Sequence, residues 1–236
     1  PSGATEVRQA GHAFISMQAR IERHLEQRTA MLSGVSHDLR TPLTRMKLSL
    51  SLMDSDEQVK DLHGDVNEME DIVNEFLAFS RGDSGEEFTI IDAKKFLKTL
   101  IKERKRLNHN VILNLDNIGA DKIKFKCKAL AMSRAINNLL SNAEKYSNET
   151  MIRITVNKNT ISFIVEDSGK GIPKNLRQKA IKPFERLDTS RNQNEGSSAG
   201  LGLAIVSDIA RSHGGKLILG HSNNLGGLKA EIQIPL

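Results

Sequence analysis

Asn138, Asn142 and Lys145 stand four and three residues apart, so on a helix they share one face. Asparagine is a poor mid-helix residue because its amide competes with the backbone. Two of them beside a lysine offer amide oxygens to a hard cation and an ammonium to phosphate. Downstream, Asp167-Ser168-Gly169-Lys170-Gly171-Ile172 follows directly on an apolar strand. Its glycines let a ligand come close to the backbone, and the Asp167 carboxylate can accept a hydrogen bond from an exocyclic amine such as that of adenine. Gly200-Leu201-Gly202-Leu203-Ala204-Ile205 opens a helix, where free N–H groups and the positive dipole end suit phosphate. It is not a dinucleotide fingerprint, because Ile205 holds the place of the third glycine and no strand leads into it; no P-loop sequence occurs either. Singly, these patterns also describe a polar helix face, a turn and an ordinary helix start.

His37 stands far upstream in Ser36-His37-Asp38-Leu39-Arg40-Thr41-Pro42. Each helical residue turns the chain by about 100°, so His37, two residues from Val35 and two from Leu39, points roughly opposite the apolar stripe those residues define. It faces water or a partner. Pro42 removes the hydrogen bond back to the carbonyl of Asp38, so the helix is expected to bend or loosen just after the histidine. By itself, an outward histidine is a solvated one.

The elements that hold these groups follow from periodicity. Leu32, Val35, Leu39, Leu43, Met46, Leu50 and Met53 recur at steps of three and four, the spacing of a packed helix seam, and the pattern continues upstream through Ala10, Phe14, Met17, Ile21 and Leu25. A single helix from about Glu6 to Met53 would be roughly 70 Å long at about 1.5 Å per residue, too long to stand unpaired. After a break at Asp54 to Glu57 a second stripe runs Val59, Leu62, Val66, Met69, Val73, Phe76. Two antiparallel helices cannot bury two such stripes, whereas two copies of the hairpin closing into four helices can, so a homodimer is expected.

The heptads stop after Phe79, and Arg81 to Glu87 reads as a flexible linker, seven residues that reach at most roughly 25 Å. Beyond it α and β signals mix. Strands are expected at Phe88–Ile91, Val111–Leu115, Ile123–Phe125, Met151–Val156, Ile161–Glu166, Lys216–His221 and Leu228–Ile234. Helices are expected from Asp92 to about Leu107, from Lys128 to Tyr146, from Pro173 and over Leu201–Ser212. Strands from hairpins with helices on one face make an α+β sandwich. The polar run from about Leu187 to Ala199 is expected to be mobile, as a lid over a ligand would be.

Composition narrows the possibilities. With 38% apolar and 27% charged residues the 236-residue chain is of soluble globular type, and no membrane span or secretory signal is expected. The single cysteine, Cys127, excludes an internal disulfide. The net charge of +5 is interleaved with acids, and with 4% aromatic residues little is available for base stacking, so no nucleic-acid partner is expected.

In this order the blocks resemble sensor histidine kinases from Glu6 onward. Ser36 to Leu43 is similar to their phosphoacceptor box, Asn138–Tyr146 to the N box, Asp167–Ile172 to the first glycine box, Pro183–Arg186 to the F box and Gly200–Leu203 to the second glycine box. The resemblance implies a signal-relay (HAMP) remnant at 1–30, a dimerisation and phosphotransfer domain at 31–81, the linker at 82–87, and an ATP-binding domain at 88–236. It implies that Asn142 and Asn138 hold Mg²⁺ and that Lys145 and Tyr146 meet the phosphates of ATP. Asp167 would select adenine, while Gly169, Gly171, Gly200, Leu201, Gly202 and Leu203 shape the pocket. Ser198 stands where many relatives have another glycine.

His37 would attack the γ-phosphate, with Asp38 as base or orienting group. The phosphoryl group would pass to an aspartate of a response regulator, and Thr41 would orient a water that removes it again. The run Leu32–Arg45 is closest to EnvZ-type osmosensors. That implies an OmpR-type regulator and a cytoplasmic piece of a bacterial inner-membrane protein whose membrane part lies N-terminal. The alternatives are an ATP-hydrolysing clamp of the gyrase or chaperone type, against which Asn138 stands where those proteins carry a water-activating glutamate, and a non-catalytic dimeric scaffold.

Overall fold

The computed structural model describes residues 5–53, 57–81, 86–106, 111–115, 123–185 and 200–236. They fall into two compact units, Pro1–Gly82 and Asp83–Leu236.

The first unit is two helices, α1 (Thr5–Ser51) and α2 (Glu57–Arg81). At 47 residues α1 is one helix, as the stripe predicts, and it runs through Pro42 without interruption. The expected loosening is not a break: the proline costs one backbone bond, and packing against α2 holds the rest. Arg40 donates to Asn74 Oδ1 at 3.1 Å, and Lys47 pairs with Glu70, so rising numbers on α1 meet falling numbers on α2 and the pair is antiparallel. Leu43 and Val66 are buried between them at 7% and 4% exposure. Val35, Leu39, Met46, Leu62 and Met69 on the same stripes stay 43–49% exposed, so the hairpin does not cover its own apolar surface.

The second unit holds strands β1 (Thr89–Asp92), β2 (Val111–Asn114), β3 (Lys124–Cys127), β4 (Thr150–Asn157), β5 (Thr160–Asp167), β6 (Lys216–His221) and β7 (Leu228–Pro235). Its helices are α3 (Ala93–Arg106), α4 (Ala129–Tyr146), the single turn α5 (Arg177–Ala180) and α6 (Gly202–Ser212). Five strands form a sheet in the order β2-β4-β5-β7-β6, while β1 and β3 pair separately. The sheet is mixed, because β2 lies parallel to β4; the strands therefore do not all come from hairpins as periodicity suggested, since the crossover through β3 and α4 lets β2 run alongside β4. Pro173 opens a turn, with Leu176 N–H on its carbonyl at 2.9 Å, and the helix begins only at Arg177.

Alternation along the strands puts Ile152 and Ile154 of β4, Ile161, Phe163 and Val165 of β5, and Ala230, Ile232 and Ile234 of β7 on one face, all buried against α4 and α6. Phe96, Phe125 and Phe163 form an aromatic cluster there, with ring centroids 5.3–6.5 Å apart. Asp92 caps α3 through the N–H of Lys95 at 2.9 Å.

The start of α4 is capped from elsewhere in the unit. Glu86, which the sequence assigns to the linker, accepts from Leu130 and Ala131 N–H at 2.7 and 3.0 Å, and His213 Nε2 accepts from Lys128 N–H at 3.0 Å. His213 Nδ1 sits 2.7 Å from the Ile209 carbonyl, so a neutral imidazole with the proton on Nδ1 satisfies both contacts. Burial, with Glu86 nearby, pushes the Cys127 thiol up to about 12, which keeps it out of any thiolate chemistry.

Candidate functional site

The end of β5 carries a tightly specified geometry. Asp167 is 5% exposed and lies on the helix-facing side of the sheet. Its Oδ1 accepts two backbone amides, Gly169 N–H and Leu228 N–H, each at 2.9 Å, and its carbonyl accepts Gly227 N–H at 3.0 Å. Both donated side-chain bonds go to one oxygen, so the carboxylate is held in a single orientation. The turn leaves no room for side chains. A β-carbon on Gly169 would lie 2.5 Å from the Tyr146 carbonyl oxygen, and one on Gly227 would collide with Asp167 Oδ1. Glu149 and Ser168 exchange bonds at 3.1 Å, from Ser168 N–H to the Glu149 carbonyl and from Glu149 N–H to Ser168 Oγ, and so bring the C-terminal end of α4 against this turn.

Asn138, Asn142 and Lys145 are half-buried on α4. Asn138 Nδ2 is buried and has no hydrogen-bond partner among the described residues. Such an atom costs stability unless a polar group meets it, so a ligand atom is the natural partner. The Lys145 ammonium lies 5.6 Å from the centroid of the half-exposed Tyr146 ring. One residue round the helix, Asn137, Ser141 and Glu144 are gripped by Arg104 of α3. Its Nε donates to Asn137 Oδ1 at 3.1 Å, its Nη2 to the Asn137 carbonyl at 3.0 Å and to Ser141 Oγ at 2.7 Å, and its Nη1 pairs with Glu144. The neighbouring α4 face is thereby tied to α3.

The glycines of the last block meet the F-box segment. Phe184 N–H donates to the Gly200 carbonyl at 3.1 Å. Phe184 has φ of 64°, a strained value for a bulky residue, and its ring is exposed. Among the described residues no side chain caps the N-terminus of α6. Leu201 is fully buried and contributes only backbone at that end; Gly202 and Leu203 are half-buried. Gly171 packs on the other wall, where a β-carbon would lie 3.3 Å from Gly227.

The structure thus gathers Tyr146, Asp167, Gly169 and Gly171 at one turn. Asn138, Asn142 and Lys145 lie along the helix that ends there. Among the described residues no group of three His, Cys, Asp or Glu is arranged for a metal, so any cation would rely on amide oxygens and on the ligand itself. The polar run 187–199 lies outside the described residues. His37, Asp38 and Thr41 belong to the other unit, on α1. The His37 side chain is outside what is described; Asp38 and Thr41 are exposed.

Sequence reasoning missed Gly227 and Leu228, which hold Asp167, and Glu166, Ser222 and Arg104, which hold the surrounding elements. The visible signals were a charged pair, Glu166-Asp167, closing an apolar strand and the Gly226-Gly227 pair; both read as ordinary strand-end and turn chemistry.

Two family models match the chain. The His Kinase A (phospho-acceptor) domain covers residues 27–85, and the histidine kinase-, DNA gyrase B- and HSP90-like ATPase covers residues 127–236. The chain belongs to the sensor histidine kinases. Among similar kinases, sensor histidine kinase GtrS of Pseudomonas aeruginosa is 31% identical over 99% of this chain and 47% of its own length. Sensor protein RstB of Escherichia coli is 30% identical over 96% of this chain and 53% of its own length. This chain therefore spans about half the length of these relatives. Full-length ShkA in complex with AMPPNP superposes with a TM-score of 0.65 at 21% identity, over 86% of this chain and 44% of that one, a likeness of fold. The kinase fold is the observed one: a helical hairpin and a mixed sheet layered with helices.

Proposed function

We propose that this chain binds Mg²⁺-ATP in the unit that follows residue 82 and transfers the γ-phosphoryl group to His37. The observation that carries this reading is the clamped carboxylate of Asp167 among glycines that admit no β-carbon. A carboxylate fixed in that way accepts an exocyclic amine with defined geometry, which suits adenine. Lys145 and Tyr146, together with the start of α6 and the residues leading into it, Gly200, Leu201, Gly202 and Leu203, receive the phosphates. The amide oxygens of Asn138 and Asn142 fit a hard cation, while the buried Asn138 Nδ2, a donor, suits an acceptor oxygen of the nucleotide. When bound, the cation offsets charge on the transferring phosphoryl group.

The neutral His37 imidazole forms the P–N bond as the bond to the ADP oxygen breaks. Asp38, the adjacent residue, orients the ring or takes its proton. Exposed Thr41, one helical turn on, positions water for the reverse duty of removing phosphate from a regulator's aspartate. The second function, the transfer to that aspartate and the dimer are parts of the same proposal, as is the domain division 1–30, 31–81, 82–87 and 88–236.

The finer reading is of an EnvZ-type osmosensor with a HAMP relay, an OmpR-type regulator and a membrane anchor outside this chain. It is supported by the run Leu32–Arg45 and by the opening Gly3 to Ala10 with Phe14 and Met17, which resembles the second helix of a HAMP module. Among the described residues no helix is long and apolar enough to cross a membrane.

The test is incubation of the chain and its His37→Gln variant with γ-labelled ATP and magnesium. Acid-labile label is expected on the native chain alone. Label that persists on the variant would overturn the proposal.

A further inference from the structure

Building on that assignment of Asp167, we propose that Glu166 is a positioning residue for base recognition. It clamps the turn 222–228 from the opposite face of the sheet and so fixes the amides that orient Asp167. Successive strand residues point to opposite faces, so while Asp167 faces the helices, Glu166 faces away from them. Glu166 is 1% exposed. Its Oε1 accepts from Ser222 Oγ at 3.1 Å, and its Oε2 accepts from Asn224 Nδ2 at 2.9 Å and from Arg153 Nε of β4 at 2.8 Å.

Ser222 is the closing residue of the β6–β7 turn. Its Oγ accepts Leu225 N–H, its carbonyl accepts Gly226 N–H, and its own N–H donates to the Gly227 carbonyl, at 2.9–3.0 Å. The same turn delivers Gly227 and Leu228 N–H to Asp167. Two consecutive residues thus grip one turn, each from its own face of the sheet.

A carboxylate buried in this way is costly unless it is fully paired, and an apolar or hydroxyl residue would complete the strand without that cost. What the charge adds is rigidity where it matters, since a recognition group is useful only if held to within about half an ångström. Burial pushes the Glu166 carboxyl up, but the bonds from Arg153, Asn224 and Ser222 and the Arg153 charge outweigh it and leave the carboxyl below its usual range. It therefore stays an acceptor for all three donors at neutral pH.

The test compares binding of ATP with that of purine riboside triphosphate, which lacks the 6-amino group, by calorimetry with magnesium on the full chain. The native chain is expected to prefer ATP by on the order of 10- to 100-fold, and Asp167→Asn to erase the preference, since its amide donates where the carboxylate accepted. Glu166→Ala is expected to cut the preference about tenfold by weakening ATP alone, leaving the analogue within about twofold. Asn224→Ala removes an exposed partner of the clamp and should cut it about threefold. It decides the matter if Glu166→Ala does not fold. If Asp167→Asn erases the preference while the two clamp variants keep it, or weaken both nucleotides equally, the positioning role is wrong and the assignment of Asp167 stands. If Asp167→Asn keeps the preference, that assignment fails and takes the clamp with it.

Discussion

Glu166 and Thr41 show what single residues add beyond their motifs. Glu166 titrates below its ordinary value of 4.5 because Arg153, Asn224 and Ser222 outweigh the cost of its burial. A carboxyl whose folded pKa is depressed contributes stability that is present above the unfolded pKa and lost as pH falls through the folded one. Urea unfolding from pH 7 down to pH 3 should therefore show the native chain losing its advantage over Glu166→Gln at the acid end; a gap independent of pH would contradict this. Thr41 is exposed on α1, one helical turn beyond His37. Thr41→Arg should spare labelling from ATP while abolishing dephosphorylation of a phosphorylated regulator, and loss of both activities together would count against the division of roles. Asp167 was legible as an acceptor at a strand end. Its orientation was not, because the two amides that set it come from Gly169 and from Leu228, the latter 61 residues away.

At the scale of elements, α4 carries the burden of positioning. Its face with Asn138, Asn142 and Lys145 could be read from spacing alone, because periods of three and four are local geometry. What keeps that helix at one rotation and one depth is Arg104 on one side and the Glu86 and His213 caps at its start. The Arg104 and Glu144 side chains are 12% and 17% exposed, so removing the guanidinium leaves a half-buried carboxylate without its cation. Arg104→Ala should cost on the order of 3 kcal/mol in urea unfolding. Arg104→Lys should recover little, because an ammonium does not reproduce the fork that reaches Asn137, Ser141 and Glu144 together. A cost under about 0.5 kcal/mol would show that the clamp is ornamental. In sequence, Arg104 is one of seven basic residues in α3 and looks like any other.

At the scale of the molecule, the hairpin is left with surface it cannot bury. Leu43 and Val66 pack between α1 and α2, but Val35, Leu39, Met46, Leu62 and Met69 do not. A second hairpin is the economical cover, so the chain should run at twice its 26.1 kDa mass by light scattering. Replacing Leu39 and Met46 together by Glu should shift it toward the monomer mass without melting the second unit. A native chain that stays monomeric at tens of micromolar would remove the basis for a paired bundle.

By itself the sequence determined the local things: long apolar stripes at helical spacing, strand alternation, the Asp92 cap and the glycine blocks. Each follows from the geometry of a few adjacent residues. Only the tertiary structure decided that β2 lies parallel to β4, that Glu86 caps α4, and that the turn before β7 reaches across to hold Asp167. Those are contacts between residues distant in the chain. Which ones form is settled by competition among whole-domain packings rather than by any property of the segments that meet.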